Sequence, residues 1–219
     1  MITHLATSTA VPAVVSDDDQ HYGPAVSSYG TVWKSRGEDL HVGVWQFKGE
    51  QRTRPRHGVE SGYEEITTLV EGTLDIECDG VVERLEAGDS IIYDCPIGAK
   101  RLRAPDGFRA IYVVRYRSCN GGRVVKLDND KTFESADQRL SAGRWQANGE
   151  QRSEAAEGYD ELLVVTHGSL VIESDGSEHV ARVGDVVVYE SPLSAKIVRS
   201  SDLRATYIVR WHAGAAPRS

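Results

Sequence analysis

Alternation of apolar and polar residues dominates the pattern of this 219-residue chain. In Thr73–Cys78 every second residue is apolar, so Leu74, Ile76 and Cys78 share one face of an extended strand. Short apolar or β-branched runs recur at intervals of about ten residues with polar turns between them, which is typical of a β-sandwich or barrel. No stretch shows helical periodicity of useful length. Strands are predicted at Glu65–Val70, Thr73–Cys78, Ser90–Tyr93, Ala110–Tyr116, Leu162–Val165, Val186–Tyr189 and Thr206–Trp211.

The strand pattern occurs twice along the chain. WQFKGEQR at Trp45–Arg52 returns as WQANGEQR at Trp145–Arg152, and Gly62–Gly98 aligns with Gly158–Ser194. Insertions between the two copies fall in polar loops, where they are best tolerated. The chain therefore holds two homologous all-β units.

Matching turns and the segment boundaries complete the predicted organisation of the chain. Asp79-Gly80 and Asp175-Gly176 occupy matching positions, where Gly adopts the positive φ of a hairpin turn without steric cost. The predicted segments are an N-terminal arm (1–27, with one short strand at Val11–Val15), a first repeat (28–117), a linker (118–130), a second repeat (131–213) and a tail (214–219).

Composition narrows the class of protein. The net charge is −8 and the pI is about 5.4, which argues against a nucleic-acid partner because phosphate binding needs clustered Lys and Arg. No apolar run is long enough to span a membrane, and the N-terminus lacks the features of a signal peptide. Cys78, Cys95 and Cys119 are odd in number and form no CxxC motif, which indicates a reducing cytoplasm.

The repeated motif resembles the signature of the cupins. In the first copy Glu65 and Gly72 are followed by Gly88-Asp89 and by Pro96-Ile97-Gly98. In the second copy the corresponding residues are Glu161, Gly168, Gly184-Asp185 and Pro192. The resemblance implies two tandem RmlC-like jelly-roll barrels, a bicupin. The YEE and YDE triplets look like the subgroup of ureidoglycine aminohydrolase and the ethanolamine-utilisation cupin. Because cupins commonly associate through strand edges, a homodimer is also expected.

The histidines that hold a metal ion in cupins are missing. The family places an H-x-H pattern before the Glu and a third His after the Pro-x-Gly turn. In the first copy the H-x-H positions hold Gly58 and Glu60, or Val59 and Ser61, and in the second copy they hold Glu154 and Ala156, or Ala155 and Glu157. The third position falls at or near Arg101 in the first copy and Ile197 in the second. We therefore expect no metal cofactor.

One histidine remains as a candidate metal ligand. His57 lies eight residues before Glu65, and a loop could bring it beside Glu60 and Glu65 to hold Mn, Fe or Zn. A surface histidine in the basic loop RTRPRH is the favoured interpretation.

Several polar residues remain as candidates for the site. Glu65, on a strand that lines the barrel in cupins, is the predicted catalytic base, with a buried ion pair as the alternative. Lys100 and Lys196 follow the Pro turn and either bind an anionic ligand or lie on the surface. Arg115 and Arg210 are predicted to pair with carboxylates. The predicted ligand-binding residues are Arg56, Tyr63, Tyr93, Lys100, Arg101, Tyr159, Glu161, Tyr189 and Lys196.

Three functional hypotheses follow. The first is a metal-independent cupin that binds a small polar or anionic metabolite. The first repeat, which alone carries the basic loop with Arg56, is then expected to face the ligand, while the second repeat supports assembly. The second hypothesis is a hydrolase similar to ureidoglycine aminohydrolase, and the third is a structural module that pairs with another chain.

Overall fold

The computed structural model describes residues 2–7, 14–15, 21–22, 25–53, 62–78, 80–94, 100–117, 123–127 and 132–215. The chain divides into two compact units. The N-terminal unit comprises residues 9–126, and the C-terminal unit comprises residues 127–219 together with residues 1–8. Both are built from antiparallel strands, so the predicted all-β fold with two barrel-like units is confirmed.

The first strand, β1 (Ile2–Leu5), belongs to the C-terminal unit. The N-terminal unit contains β2 (Val14–Val15), β3 (His21–Tyr22), β4 (Ala25–Lys34), β5 (Leu40–Thr53), β6 (Gly62–Cys78), β7 (Val81–Glu86), β8 (Ser90–Asp94), β9 (Lys100–Arg117) and β10 (Arg123–Lys126). Its nine strands follow the order β10-β8-β6-β9-β5-β4-β2, with β3 paired to β5 and β7 paired to β6.

The C-terminal unit repeats this arrangement with seven strands. They are β1 and the later strands β11 (Phe133–Glu134), β12 (Leu140–Ser153), β13 (Tyr159–Ser174), β14 (Ser177–Arg182), β15 (Val186–Tyr189) and β16 (Lys196–Trp211). Their order is β1-β15-β13-β16-β12-β11, and β14 pairs with β13. Long strands such as β13 and β16 change register where bulges interrupt their pairing, and such bulges let a strand bend around a core.

β1 and β10 occupy equivalent edges of the two sheets. β1 pairs with β15 so that Ile2 lies opposite Tyr189, and β10 pairs with β8 so that Val124 lies opposite Tyr93. The sequence predicts an arm at 1–27 and a linker at 118–130, and the structure places a strand of each segment in a sheet. Of the short strand predicted at Val11–Val15, β2 covers the last two residues and the others lie outside the described residues.

An equivalent aspartate contacts a basic side chain of the edge strand in both units. His4 Nε2 lies 3.1 Å from Asp185 Oδ2, and Lys126 Nζ lies 3.1 Å from Asp89 Oδ2. Asp185 and Asp89 are the aspartates of the repeated Gly-Asp turn, and each also accepts a hydrogen bond from a backbone amide of that turn. The repeated Asp thus stabilises both the turn and the docking of an edge strand.

The predicted hairpin turn is confirmed in the second copy of the repeat. Asp175 and Gly176 have φ of 50° and 74°, and Ser174 pairs with Ser177 across them. Two successive positive φ values define the type I′ turn, which matches the twist of the flanking strands. In the first copy Gly80 has φ 78°, while Asp79 lies outside the described residues.

Each unit has its own inner apolar cluster, formed by one face of its strands. Leu74, Ile76 and Cys78 are at most 2% exposed and lie together in the cluster of the N-terminal unit, as their alternation predicts. The N-terminal inner cluster also includes Phe47, Leu69, Leu85, Ile91, Tyr93, Leu102 and Phe108. The C-terminal inner cluster includes Leu163, Val165, Leu170, Ile172, Val187, Tyr189, Leu193, Val198 and Leu203. Residues on this face are called inner below.

Candidate functional site

The predicted Glu and Tyr of each repeat are neighbours across two strands. Glu65 on β6 lies opposite Tyr93 on β8, and Glu161 on β13 lies opposite Tyr189 on β15. Directly opposed residues share a face of the sheet, and both tyrosines belong to the inner clusters. Each unit therefore has an inner carboxylate beside a buried phenol ring.

A lysine covers the tyrosine ring in both units. Lys100 Nζ lies 3.4 Å from the ring centroid of Tyr93, and Lys196 Nζ lies 3.3 Å from that of Tyr189. An ammonium over a ring face within about 6 Å of the centroid is attracted by the negative face of the ring. The repeated sequence thus places Glu, Tyr and Lys together twice, and this set is called the Glu-Tyr-Lys set below.

In the C-terminal unit the set is closed by an ion pair. Lys196 Nζ donates a hydrogen bond of 3.0 Å to Glu161 Oε2. The lysine side chain is 11% exposed and the glutamate 25%, so both remain partly accessible to solvent. Burial lowers the pKa of Lys196, while the charge and the hydrogen bond of Glu161 oppose the shift. Glu161 therefore forms a partly exposed ion pair with Lys196 in this unit.

Tyr189 carries a buried hydroxyl group. The residue is 1% exposed, and its hydroxyl oxygen has no hydrogen-bond partner among the described residues. Burial raises the pKa of Tyr189, and the Glu161 carboxylate adds to that shift. The hydroxyl is therefore a protonated donor inside the barrel. An unsatisfied buried polar group costs about 1–3 kcal/mol, which makes it a notable feature of the site.

The N-terminal unit uses its glutamate differently. Thr67 Oγ1 donates a hydrogen bond of 2.9 Å to Glu65 Oε1. The second repeat has Leu163 at the position of Thr67, so Glu161 lacks this neighbour. Burial raises the pKa of Tyr93 well above its usual value, with a further contribution from Glu65. The same three residue types therefore form two different local networks.

Aromatic residues pack against the apolar cluster to which Tyr189 belongs. Tyr159, Trp145 and Tyr207 are partly buried and pack against the C-terminal inner cluster. The ring of Tyr159 lies 5.0 Å from that of Trp211 at 52°, a tilted packing geometry. In the N-terminal unit Tyr63 is buried at 6% exposure. Tyr159 is thus better placed than Tyr63 to line an accessible site.

Arg101, a predicted ligand-binding residue, lies away from the Glu-Tyr-Lys set. Its guanidinium donates hydrogen bonds of 2.9 and 2.6 Å to Glu50 in an exposed ion pair. Lys100 and Arg101 are consecutive on β9, and successive strand residues point to opposite faces. Because Lys100 covers the inner ring of Tyr93, Arg101 faces solvent.

Three predicted residues cannot be placed. Arg56, His57 and Glu60 lie outside the described residues. The expected role of the basic loop in binding a ligand or a metal therefore stays a prediction.

The repeated arginines pair with carboxylates, as predicted. Arg115 Nη2 lies 2.6 Å from Glu64 Oε2, and Arg210 Nη1 lies 2.8 Å from Asp160 Oδ2. Glu64 and Asp160 are the first acids of the YEE and YDE triplets, which sequence reasoning did not single out. Strand alternation is the signal that would have found them, because neighbouring acids must face opposite sides. The first acid pairs with Arg, and the second belongs to the Glu-Tyr-Lys set.

A surface groove of about 490 Å³ lies elsewhere in the N-terminal unit, beside Phe47, Gly72, Gly107 and Phe108. Gly72 is seven residues from Glu65 along β6, so the groove is at a different level of the strand. Its charged residues include Glu71 and Arg109, which pair with each other at 3.8 Å. We give the Glu-Tyr-Lys set more weight because its polar groups converge and recur in both units.

The residues of the C-terminal set do not suit a metal ion. In the described ranges no three His, Cys, Asp or Glu side chains are grouped to hold one. The only inner carboxylate of this set, Glu161, is already bonded to the Lys196 ammonium, which would repel a divalent cation.

Comparison with known proteins identifies the fold. The protein Ylba from E. coli superposes with a TM-score of 0.69 at 10% identity, covering 99% of this chain and 93% of that one. A cupin 2 conserved barrel domain protein from Leptotrichia buccalis gives a TM-score of 0.57 at 10% identity, covering 96% of each chain. The E. coli pirin YhhW, solved with nickel(II), gives 0.59 at 12% identity, covering 97% of this chain and 100% of the pirin.

The protein therefore has a cupin-like all-β fold with two barrel-like units. No family model matches the sequence, and no curated protein matches it. At these identities the likeness extends to the fold alone, and the resemblance to ureidoglycine aminohydrolase stays a prediction. None of the described segments forms a helix with the length and hydrophobicity needed to cross a membrane.

Proposed function

We propose that this cupin binds a small polar metabolite inside the barrel of its C-terminal unit, without a resident metal ion. The ligand carries an oxygen acceptor, such as a carboxylate or a carbonyl group. The observation that carries the proposal is the Glu161–Lys196 pair, whose ammonium lies over the ring of Tyr189, together with the Tyr189 hydroxyl, which has no partner among the described residues.

The donors in this site are incompletely used. An ammonium group has three N–H donors, and Glu161 accepts from one of them. The Tyr189 hydroxyl adds a donor that has no partner among the described residues. A carboxylate or carbonyl oxygen would accept from both groups, which removes the cost of an unsatisfied buried polar atom. Glu161 in turn offers its carboxylate to an amine or amide of the same ligand.

The N-terminal unit is proposed as a second, different site. Its Lys100 covers Tyr93 as in the other unit, but Glu65 accepts from Thr67. Polar ligands that suit one unit are therefore not expected to suit the other equally. Calorimetric titration of the variants Arg56→Ala and Lys100→Ala tests the N-terminal site. Unchanged affinity for an anionic ligand bound by that unit would reject its role.

A thermal-shift screen tests the proposal for the C-terminal unit. The screen compares small carboxylates, oxo acids, ureido compounds and neutral sugars on the wild type, with Lys196→Met as the variant. We expect carboxylates or oxo acids to raise the melting temperature of the wild type only. Lys34→Ala is the matched control, because Lys34 is exposed and lies outside the set. A shift that is equal in wild type and Lys196→Met would reject the proposed site.

Metal analysis separates this proposal from the hydrolase alternative. The aminohydrolase hypothesis rests on a metal-dependent family, so it requires stoichiometric Mn, Fe, Ni or Zn in protein purified without a His tag. Such a metal would direct attention to His57, Glu60 and Glu65. Metal content far below one per chain supports the binding proposal. A homodimer and a cytoplasmic location complete the proposal, and light scattering and cell fractionation test them.

A further inference from the structure

We propose that Lys196 is a nucleophile that forms an imine with a small carbonyl compound, an aldehyde or a 2-oxo acid. This inference rests on the proposed function, because the carbonyl compound must first bind at the Glu-Tyr-Lys set of the C-terminal unit. It goes further in assigning covalent chemistry to one named side chain.

The surroundings of Lys196 distinguish it from a surface lysine. Its side chain is 11% exposed, it lies over a buried aromatic ring, and its hydrogen-bond partner is a carboxylate 3.0 Å away. Burial of an ammonium in low dielectric favours the neutral amine, and the pKa of Lys196 is accordingly lowered. Because only the neutral amine is nucleophilic, these surroundings favour attack on a carbonyl carbon.

Glu161 can exchange protons with the amine. The carboxylate accepts a hydrogen bond directly from Nζ, so it lies within reach of the proton that the ammonium must lose. A carboxylic acid formed in this way can later donate the proton to a leaving hydroxyl. One residue therefore acts as base before the attack and as acid after it.

Tyr189 can stabilise the carbonyl oxygen. Its hydroxyl lies on the ring that Lys196 covers, and it has no hydrogen-bond partner among the described residues. Burial keeps it protonated by raising its pKa. A hydrogen bond to the carbonyl oxygen would polarise the carbonyl group and stabilise the negative charge that develops during attack.

The reaction balances without any further reactant. The Lys196 ammonium gives one proton to Glu161, and the neutral amine attacks the carbonyl carbon to form a C–N bond. The electron pair of the C=O π bond moves to oxygen, which takes a proton from nitrogen and becomes a hydroxyl. Protonated Glu161 then returns its proton to that hydroxyl, which leaves as water while nitrogen forms the C=N bond. Ammonium and carbonyl compound have become protonated imine and water, and Glu161 is again a carboxylate.

Reductive trapping tests this proposal. The full-length protein is incubated with pyruvate and sodium borohydride, and the modified peptides are mapped by mass spectrometry. Hydride adds to the imine carbon, so the labelled lysine gains the mass of pyruvic acid less one oxygen atom. The chain offers six lysines for comparison, namely Lys34, Lys48, Lys100, Lys126, Lys131 and Lys196. We expect initial labelling of Lys196 to exceed that of exposed Lys34, since a lowered pKa gives a larger fraction of neutral amine.

Three variants make the test specific. Lys196→Arg keeps a cation beside Glu161 but cannot form an imine, and we expect it to lose the adduct at this position. Tyr189→Phe keeps the ring and removes the hydroxyl, and we expect trapping to slow by about tenfold or more, as for loss of one donor to a developing oxyanion. Lys34→Ala should leave labelling of Lys196 unchanged.

Lactate, which has a hydroxyl in place of the carbonyl group, separates the two proposals. Its binding is measured by calorimetry on the same protein. If lactate or pyruvate binds but pyruvate leaves no adduct at Lys196, the imine proposal is overturned and the binding proposal stands. If neither compound binds and no adduct forms, both proposals fail for this ligand class. Equal labelling of Lys196 and Lys34 would also overturn the imine proposal.

Discussion

The Lys196 ammonium lies 3.3 Å from the ring centroid of Tyr189 and donates a hydrogen bond to Glu161. The equivalent Lys100 lies 3.4 Å from the ring centroid of Tyr93. A feature that recurs in two divergent copies of one repeat depends on the shared residues rather than on one loop conformation. In the C-terminal unit the shared ring also carries a hydroxyl with no partner among the described residues, which is why our proposals centre on that unit.

Removing the Tyr189 hydroxyl should not destabilise the protein. Because the buried oxygen has no partner among the described residues, Tyr189→Phe should leave the free energy of unfolding unchanged or raise it by about 1 kcal/mol. Tyr207→Phe is the matched control. The Tyr207 hydroxyl lies 3.4 Å from the Thr132 hydroxyl, so its removal should lower the free energy of unfolding slightly. Urea unfolding monitored by circular dichroism measures both. A loss of more than about 1 kcal/mol in Tyr189→Phe would show that the hydroxyl has a partner.

Stability should fall at alkaline pH because buried tyrosines resist ionisation. The pKa values of Tyr93 and Tyr189 are raised in the folded protein, so above pH 10 the folded state holds protons that the unfolded state has lost. The stabilisation is complete below the usual tyrosine pKa near 10 and decreases as pH rises. Each such tyrosine contributes a slope of about −1.4 kcal/mol per pH unit. The lowered pKa of Lys196 makes the free energy of unfolding rise with pH instead, but only at pH values below the usual lysine pKa.

Chemical denaturation of the wild type and of Tyr189→Phe at pH values from about 10.5 to 11.5 isolates the tyrosine contribution, because Lys196 titrates in both proteins and its contribution cancels in the difference. We expect the slope of the unfolding free energy in Tyr189→Phe to be shallower than in the wild type by about 1.4 kcal/mol per pH unit. Identical slopes would mean that Tyr189 ionises equally in both states.

Breaking the buried Glu64–Arg115 pair should be costly. Both side chains are almost fully buried, at 0% and 5% exposure. Glu64→Gln leaves the Arg115 charge without its carboxylate, and the expected loss is about 3–5 kcal/mol. The exposed Glu50–Arg101 pair is the comparison, and Glu50→Gln should change stability little. Thermal and urea unfolding of the two variants measure the difference, and losses of similar size would contradict the assignment.

Substitution of Gly168, the glycine that follows Glu161 in the repeated motif, should destabilise the protein for a steric reason. Gly168 has φ 71°, and a Cβ there would overlap the backbone carbonyl oxygens of Ser201 and Asp202. Gly176 has a similar φ of 74° but no atom within 4 Å of a Cβ. Gly176→Ala should cost about 1–2 kcal/mol from the left-handed backbone alone.

Gly168→Ala should cost more than Gly176→Ala by at least about 1 kcal/mol, because the neighbouring backbone cannot move as a flexible side chain would. Equal destabilisation of the two variants in urea unfolding would show that strand β16 relaxes around the added methyl group.

The sequence was sufficient for features that depend on local patterns. Alternation in Thr73–Cys78 placed its apolar face correctly, and Asp175-Gly176 predicted the hairpin turn. Pairing of the two repeats also indicated that Lys100 and Lys196 hold equivalent positions. Each of these inferences needed only neighbouring residues or a copy of them.

Features that depend on distant contacts could not be predicted in this way. Nothing local shows that β1 pairs with β15, since the partners are almost the whole chain apart. Arg101 was a candidate because it falls at or near the third histidine position of the cupin motif, although strand alternation directs it to the face opposite Lys100. The unpartnered hydroxyl of Tyr189 is visible only when every neighbour from the described strands is in place.

Calorimetric titration of lactate into the wild type, Lys196→Met and Tyr189→Phe tests the binding site most directly. We expect saturable binding to the wild type. Affinity should fall by about tenfold or more in Lys196→Met, because a charged donor contributes about 1.5–3 kcal/mol, and by about two- to tenfold in Tyr189→Phe, because a neutral donor contributes about 0.5–1.5 kcal/mol. Lys34→Ala should match the wild type. Wild-type affinity in Lys196→Met would contradict a ligand site at the Glu161–Lys196 pair.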